Sequence, residues 1–326
     1  MIGALWNRRL PFKKHSLMQH LIDNYSREDI SAAFQRRFEE VFIEIVQNAV
    51  KEFKIPNLAL AGGSFANVKL NQRLFNVDGI ENIFVFPNMS DGGLASGAAL
   101  QHDVFSNGNT ATPIKNAYLG ASFSNEEIKT VLDSEEVTYT LEDDIEETVS
   151  DLLIEGKVVA RFHGAMEYGP RALGNRSILY HTKDKSVNDW LNKRLGRTEF
   201  MPFAPVTLTE EAHTCYIGLE GAGNTARFMT ITFDCTDFMK EKSPAAVHVD
   251  GTARPQLVSK EDNPSYHKIL RRYFEKTGIP SIINTSYNMH EEPIVCTPYD
   301  AVRAFKLGHL EYLAIGDFLV SNLQDS

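Results

Sequence analysis

Met166 to Leu179 reads MEYGPRALGNRSIL, with two glycines, a proline and two arginines inside eleven residues and an apolar run behind them. Glycine lets a backbone take positive φ and approach a ligand closely, and successive N–H groups in such a turn make an anion nest. Arginine adds a planar fork of donors that matches phosphate or carboxylate. Gly169 and Gly174 shape this loop, while Arg171, Asn175, Arg176 and Ser177 supply donors. The same residues also fit a structural turn whose arginines pair with surface acids, and composition alone leaves both readings open.

Two further polar clusters follow. HVDGTARPQLV projects His248, Asp250, Thr252 and Arg254 from a glycine-containing turn, and IPSIINTSYN ends a buried-strand pattern in Asn284, Thr285, Ser286 and Asn288. Short hydrogen-bonding side chains just past a buried strand suit ribose hydroxyls and phosphates, although each cluster taken singly reads as an Asx or Ser/Thr turn. Three such loops together shift the balance towards a ligand. None fits the GxxxxGK[ST] phosphate loop or the G-x-S-x-G nucleophile elbow. Nearer the front, GGSFAN offers Gly62, Gly63 and Asn67 at a helix N-terminus, where a nucleotide can bind. In SDGGLASGAA, Asp91 opens a helix and serves either as its N-cap or as a metal or nucleotide ligand.

The elements that must carry these loops are legible as an α/β pattern. Ser26 to Phe53 reads as a long amphipathic helix with Ser26 and Asp29 placed like a capping box, and with Phe34, Phe38, Val41, Phe42, Ile45 and Val46 on one stripe. Leu58 to Ala61 is a short strand, Gly62-Gly63 a turn, Asn67 to Phe75 a helix, and Asn82 to Phe86 a second strand that runs into a small-residue helix. Such alternation places ligand loops at the carboxyl ends of strands. SNGNTATP, from Ser106 to Pro113, has linker composition and divides the chain into 1–112 and 113–326. Beyond it come a capped helix (SNEEIKTVLDS), a strand (VTYTL), a helix from Asp143 to Glu155, and the buried strand GKVVARFHG that delivers the arginine-rich loop.

A chain of 326 residues is long enough for two domains. Its net charge of −10 disfavours nucleic acid and anionic membrane. Positive charge is nevertheless concentrated between Arg161 and Arg197, where eight Lys or Arg face three acids, whereas Asp133 to Glu155 carries ten acids and no Lys or Arg. Cys215, Cys235 and Cys296 are far apart and form no CxxC pair, which points to a reduced, cytoplasmic setting. No apolar run approaches the roughly 18 residues of a membrane helix, and no signal-peptide layout opens the chain.

Taken together, GGSFAN, SDGGLASGAAL, GKVVARFHGAMEYGPRALGNRSIL, PFAP, HVDGTARPQLV and NTSYNMHEEPIVCTPYDA resemble the O-carbamoyltransferase family of nodulation-factor and antibiotic biosynthesis. The resemblance runs from Ser26 to Asn322. It implies that residues 1–112 form the second half of an actin-like (ribonuclease H-like) carbamoyl-transfer domain, similar to the tRNA threonylcarbamoyl-transfer protein. Residues 113–326 would form a YrdC-like α/β domain. It also implies a two-step reaction: carbamoyl-adenylate is made from ATP and carbamoyl phosphate with release of pyrophosphate and phosphate, and the carbamoyl group then passes to the hydroxyl of a small molecule. Magnesium would accompany ATP, and a divalent metal, iron by resemblance, would assist the transfer.

On this resemblance Arg171, Arg176 and Arg197 contact phosphate or carbamoyl phosphate, with His248 and Arg254 beside them. Asn175, Ser177, Asn284, Ser286 and Asn288 hold the nucleotide. Gly62, Gly63 and Asn67 approach the adenylate in the transfer site, and Asp91 ligates the metal. The chain also departs from the family pattern. His15 and His20 stand where a His-x-x-x-His metal pair would be sought, yet they are five apart and diverge by about 140° on a helix. Thr198 and Met201 occupy positions usually held by Glu and Arg, and Glu291 occupies a usual glycine. A partner chain or self-association would then supply the missing actin-like half. The alternative expectation is a nucleotide-binding or scaffold protein that keeps the fold with impaired catalysis.

Overall fold

The structure is a computed structural model and describes residues 16–109, 114–196 and 203–322. Arg197, Thr198 and Met201 therefore lie outside the described residues, as do His15 and the Pro113 end of the linker. The chain folds as a mixed α/β protein, as expected, with three separate sheets.

The front segment comprises α1 (Ser16–Asn24), α2 (Arg27–Phe53), β1 (Asn57–Leu60), α3 (Val68–Phe75), β2 (Asn82–Val85) and α4 (Gly92–Asn107). Ser26 caps α2 by accepting from the Asp29 amide, as its spacing predicts. The inward stripe of α2 is Phe38, Phe42, Ile43, Val46 and Val50, whereas Phe34 and Ile45, expected on it, are exposed. The helix is nearly apolar all round over Val41 to Val46, so composition does not select the face. β1 and β2 pair in parallel, Leu58 opposite Ile83 and Leu60 opposite Val85. α4 buries none of its side chains, and its Leu94, Leu100, Val104 and Phe105 are exposed.

Next come α5 (Asn125–Ser134), β3 (Tyr139–Leu141), α6 (Ile145–Ile154), β4 (Val159–Phe162), β5 (Arg176–His181), α7 (Val187–Arg194) and β6 (Ala204–Leu208). A small subassembly follows, with α8 (Ala212–Cys215), β7 (Tyr216–Ile217), α9 (Gly223–Ala226), β8 (Phe233–Cys235), α10 (Asp237–Lys242) and β9 (Thr252–Ala253). The chain then adds β10 (Gln256–Val258), α11 (Pro264–Thr277), β11 (Ser281–Ser286), α12 (Pro298–Leu307), β12 (Tyr312–Ile315) and β13 (Phe318–Ser321).

Eight strands make one mixed sheet in the order β10-β6-β11-β5-β4-β12-β13-β3. Its period-2 alternation sends Ala160, Phe162, Ile178, Tyr180 and Ile283 to one face, under α5, α7 and α12. Val159, Leu179, Val206 and Ile282 go to the other, under α6 and α11. Both faces are covered, which is why β4, β5 and β6 are buried almost throughout. The β7-β8-β9 sheet lies apart from this. Its Tyr216, Phe233 and Ala253 share a core with Val46, Leu70, Leu74, Ile83 and Val85 of the front segment. Residues 212–257 thus pack on a part of the chain more than a hundred residues away.

Candidate functional site

β5 runs antiparallel to β4, and the loop between them is MEYGPRALG. Its backbone does hold an anion, and that anion is its own Glu167. Glu167 Oε1 accepts from the amides of Leu173 at 2.7 Å, Asn175 at 2.7 Å and Arg176 at 3.1 Å, and the residue is buried. Three N–H groups converging on one carboxylate oxygen are what a nest provides for a phosphate. The expectation that these amides face an external ligand is therefore corrected, because a neighbouring side chain already fills the nest. Gly174 makes the turn possible: it has φ +112°, and a Cβ there would lie 2.2 Å from the Tyr266 ring.

Arg176 is likewise committed inwards. Its guanidinium donates to the carbonyls of His163 at 2.9 Å, Asn175 at 2.9 Å and Ala121 at 3.1 Å, and it lies 3.6 Å from the centre of the Phe162 ring. The side chain is fully buried, and burial pushes its pKa down to about 10. It ties the loop together and does not project from it. Asn175 is spent in the same way. Its Oδ1 accepts from Arg161 at 3.0 Å and Asn263 at 2.9 Å, while its amide donates to the Ala165 carbonyl at 2.8 Å. Ser177 Oγ accepts from the Gly174 amide at 2.9 Å and is buried. Arg161, on β4, completes this layer by reaching the Gly174 carbonyl and Ser265 Oγ.

Arg171 behaves differently. Among the described residues neither it nor Arg254 makes a hydrogen bond or ion pair, and Arg171 Nε is buried without a partner. Burial lowers the pKa of both guanidiniums. For Arg254 the positive charge of Arg171 adds to this and brings it down to about 9. Arg254 in turn helps burial to depress His248. Arg171 thus acts on Arg254 and Arg254 on His248, which the Asp250 carboxylate and Lys69 also face.

Strands β10 and β11 reach the same place. Gln256 Nε2 donates to the Leu173 carbonyl at 2.7 Å. The Asn284 amide donates to the Ala172 carbonyl at 3.2 Å and to Gln256 Oε1 at 2.8 Å, leaving Asn284 Oδ1 buried without a partner among the described residues. Two acceptors around one amide nitrogen fix its orientation. Ser286 lies opposite Ser177 in the β11–β5 ladder. Asn288 bonds the carbonyls of Met289 and Glu292, and its Oδ1 is also buried and unpartnered among the described residues.

The front motifs join this loop from the other side. Gly62 N donates to Met89 O at 2.6 Å, and the Gly63 and Ser90 positions are adjacent. The Tyr168 hydroxyl is 2.6 Å from Ser96 Oγ and donates to Gly92 O at 3.2 Å, while its ring meets Phe86 edge-on. Asn67 does not reach towards a ligand, because it caps α3 at Leu70 N and bonds Gln35 at 2.8 Å. Lys69 of α3 holds Asp250 at 2.7 Å, and Asp250 also accepts from Thr252, which fastens the HVDGT turn to the front segment. Asp91 sits at the start of α4, is exposed, and makes no side-chain cap bond. Among the described residues no three His, Cys, Asp or Glu side chains gather to hold a metal ion. A single exposed carboxylate is a poor donor set for a divalent metal, so the residues present do not fit the implied ion.

Sequence profiles of two linked regions match this chain: the carbamoyltransferase N-terminus over residues 10–100 and the carbamoyltransferase C-terminus over residues 150–322. The chain belongs to the carbamoyltransferase family. It is 35% identical over 302 residues to an uncharacterized protein of Methanocaldococcus jannaschii, covering 90% of this chain and 49% of that one. Nodulation protein NolO of Bradyrhizobium diazoefficiens is 33% identical over 308 residues, covering 91% of this chain and 56% of the relative. Nodulation protein U of Sinorhizobium fredii is 30% identical over 267 residues, covering 81% and 46%. The chain therefore spans about half the length of the curated relatives it matches. Among solved structures, full-length HypF in its phosphate- and nucleotide-bound form aligns with TM-score 0.34 at 19% identity, over 57% of this chain and 22% of HypF. No helix among the described residues is long and apolar enough to cross a membrane.

Glu167 and Arg161 are the residues that sequence reasoning passed over. Both were counted only as charges within a basic stretch. The one available signal is a lone acid two residues before a Gly-Pro-Arg turn.

Proposed function

We propose that this carbamoyltransferase chain forms carbamoyl-adenylate from magnesium-bound ATP and carbamoyl phosphate, for transfer to the hydroxyl of a small molecule. The observation that carries the reading is the pair Arg171 and Arg254. Two like charges in a partly desolvated site raise each other's energy, and a bound anion offsets that cost. Both substrates bring phosphate, and negative charge builds up on the leaving pyrophosphate, which two preorganised guanidiniums stabilise. Atoms balance if water releases phosphate from carbamoyl phosphate and the resulting carbamate oxygen attacks the α-phosphorus of ATP, expelling pyrophosphate.

His248, depressed towards its neutral form, contributes a hydrogen-bonding nitrogen beside Arg254 and adds no third charge. The orphaned acceptor Asn284 Oδ1, one residue along from Arg171 through the Ala172 carbonyl, suits the amide N–H that carbamoyl phosphate carries. Arg176, Asn175 and Asn67 serve this reading by holding the loops in place. No step is routed through a metal at Asp91, whose surroundings do not fit one.

The test is mass spectrometry of quenched mixtures of protein, magnesium, ATP and carbamoyl phosphate. Carbamoyl-adenylate, or AMP from its breakdown, should accumulate only with all components present. Nucleotide binding without either product would favour a binding or scaffold protein instead.

A further inference from the structure

We propose that Glu167 is a positioning residue for this anion site: its carboxylate is a resident anion that folds the Gly169–Arg176 turn and so aims Arg171. This rests on the anion-site reading given above. Three amides that an open nest would turn towards a ligand instead converge on Glu167 Oε1 at 2.7, 2.7 and 3.1 Å. Those amides belong to Leu173, Asn175 and Arg176, so the chain is pinned from two residues after Arg171 onwards.

Around the carboxylate the turn is closed by two guanidiniums bonded to backbone carbonyls, with Arg176 Nε buried and unpartnered among the described residues. Arg176 holds the carbonyls of His163 and Asn175, and Arg161 holds Gly174 and Asn175. Asn263 and Ser265, which start α11, grip Asn175 Oδ1 and Arg161 from the other face. The segment Ala117–Ala121 covers the outside, with Tyr168 N bonded to Ala117 O and Gly120 N to Met166 O. Inside this frame Glu167 Oε1 is matched to three amides and Oε2 is buried without a partner among the described residues, while Arg171 makes no hydrogen bond or ion pair among them. An external anion therefore meets Arg171 and Arg254 and does not compete for the nest.

The test measures binding of inorganic pyrophosphate by calorimetry. Wild type is compared with Glu167→Gln, which keeps size and one accepting oxygen, and with Glu167→Ala with and without added formate. Circular dichroism checks that each is folded. A charge-assisted contact is worth roughly tenfold in affinity, so Glu167→Ala should bind about tenfold more weakly and Glu167→Gln should fall in between. Formate, entering the vacated nest, should restore much of the loss in Glu167→Ala and none in Arg171→Ala. Unchanged affinity in a folded Glu167 variant, or a loss in Glu167→Ala that formate leaves untouched, overturns the positioning role alone. Absence of pyrophosphate binding by wild type overturns the anion-site reading and this role with it.

Discussion

The Tyr168 hydroxyl lies 2.6 Å from Ser96 Oγ, joining the arginine-bearing loop to the first turns of α4 across 72 residues of chain. The same hydroxyl donates to Gly92 O, and the ring packs edge-on against Phe86. Tyr168→Phe keeps the ring contact and removes the hydrogen bonds. It should lower stability by about 1 kcal/mol, read as a shift in urea midpoint at constant slope. No shift would mean that the two segments are held by packing alone.

Arg176 and Arg171 are five residues apart by way of Gly174 and should respond in opposite ways. Arg176→Ala strips a fully buried side chain that bonds several carbonyls, and it should destabilise the protein by about 3 kcal/mol or more. Arg171→Ala removes a charge that repels Arg254 and should leave stability unchanged or higher while weakening phosphate binding. Chemical denaturation of the two variants separates a framework arginine from a ligand arginine.

His163 works on the acid side. Arg161 first, then burial and Arg176, hold its pKa down to about 3. In the unfolded chain it protonates near pH 6.5, so its contribution to stability is present above that pH and is lost as pH falls towards 3. His163→Gln should flatten the stability profile between pH 6 and pH 4, as measured by thermal melts across that range.

Glu291 stands at φ +62°, in the left-handed region that favours glycine. Glu291→Gly should stabilise the protein by about 0.5 kcal/mol, after allowing for the greater freedom of glycine in the unfolded chain. A lower melting temperature in Glu291→Gly would contradict this.

Local patterns were legible and long-range partnerships were not. Ser26 capping α2, Ser124 capping α5 and the apolar strand behind MEYGPR follow from spacing over a few residues. The strip of α2 that faces inwards did not follow, because packing on Phe65 and α3 chooses it and the helix's own composition does not. Arg171 and Arg176 looked equivalent in the sequence. Arg176 became framework, bonded to the carbonyls of His163, Asn175 and Ala121, while Arg171 has no partner among the described residues. Charge counting registers Glu167 as one negative charge and carries no record of three amides converging on it.

Pyrophosphate release from ATP, with and without carbamoyl phosphate, tests the central claim most directly when wild type, Arg171→Ala and Arg254→Ala are run side by side. The account predicts release by wild type that requires carbamoyl phosphate and drops at least tenfold in each folded variant, the factor expected for one charge-assisted contact. Release that ignores carbamoyl phosphate, or that survives intact in both variants, would contradict it.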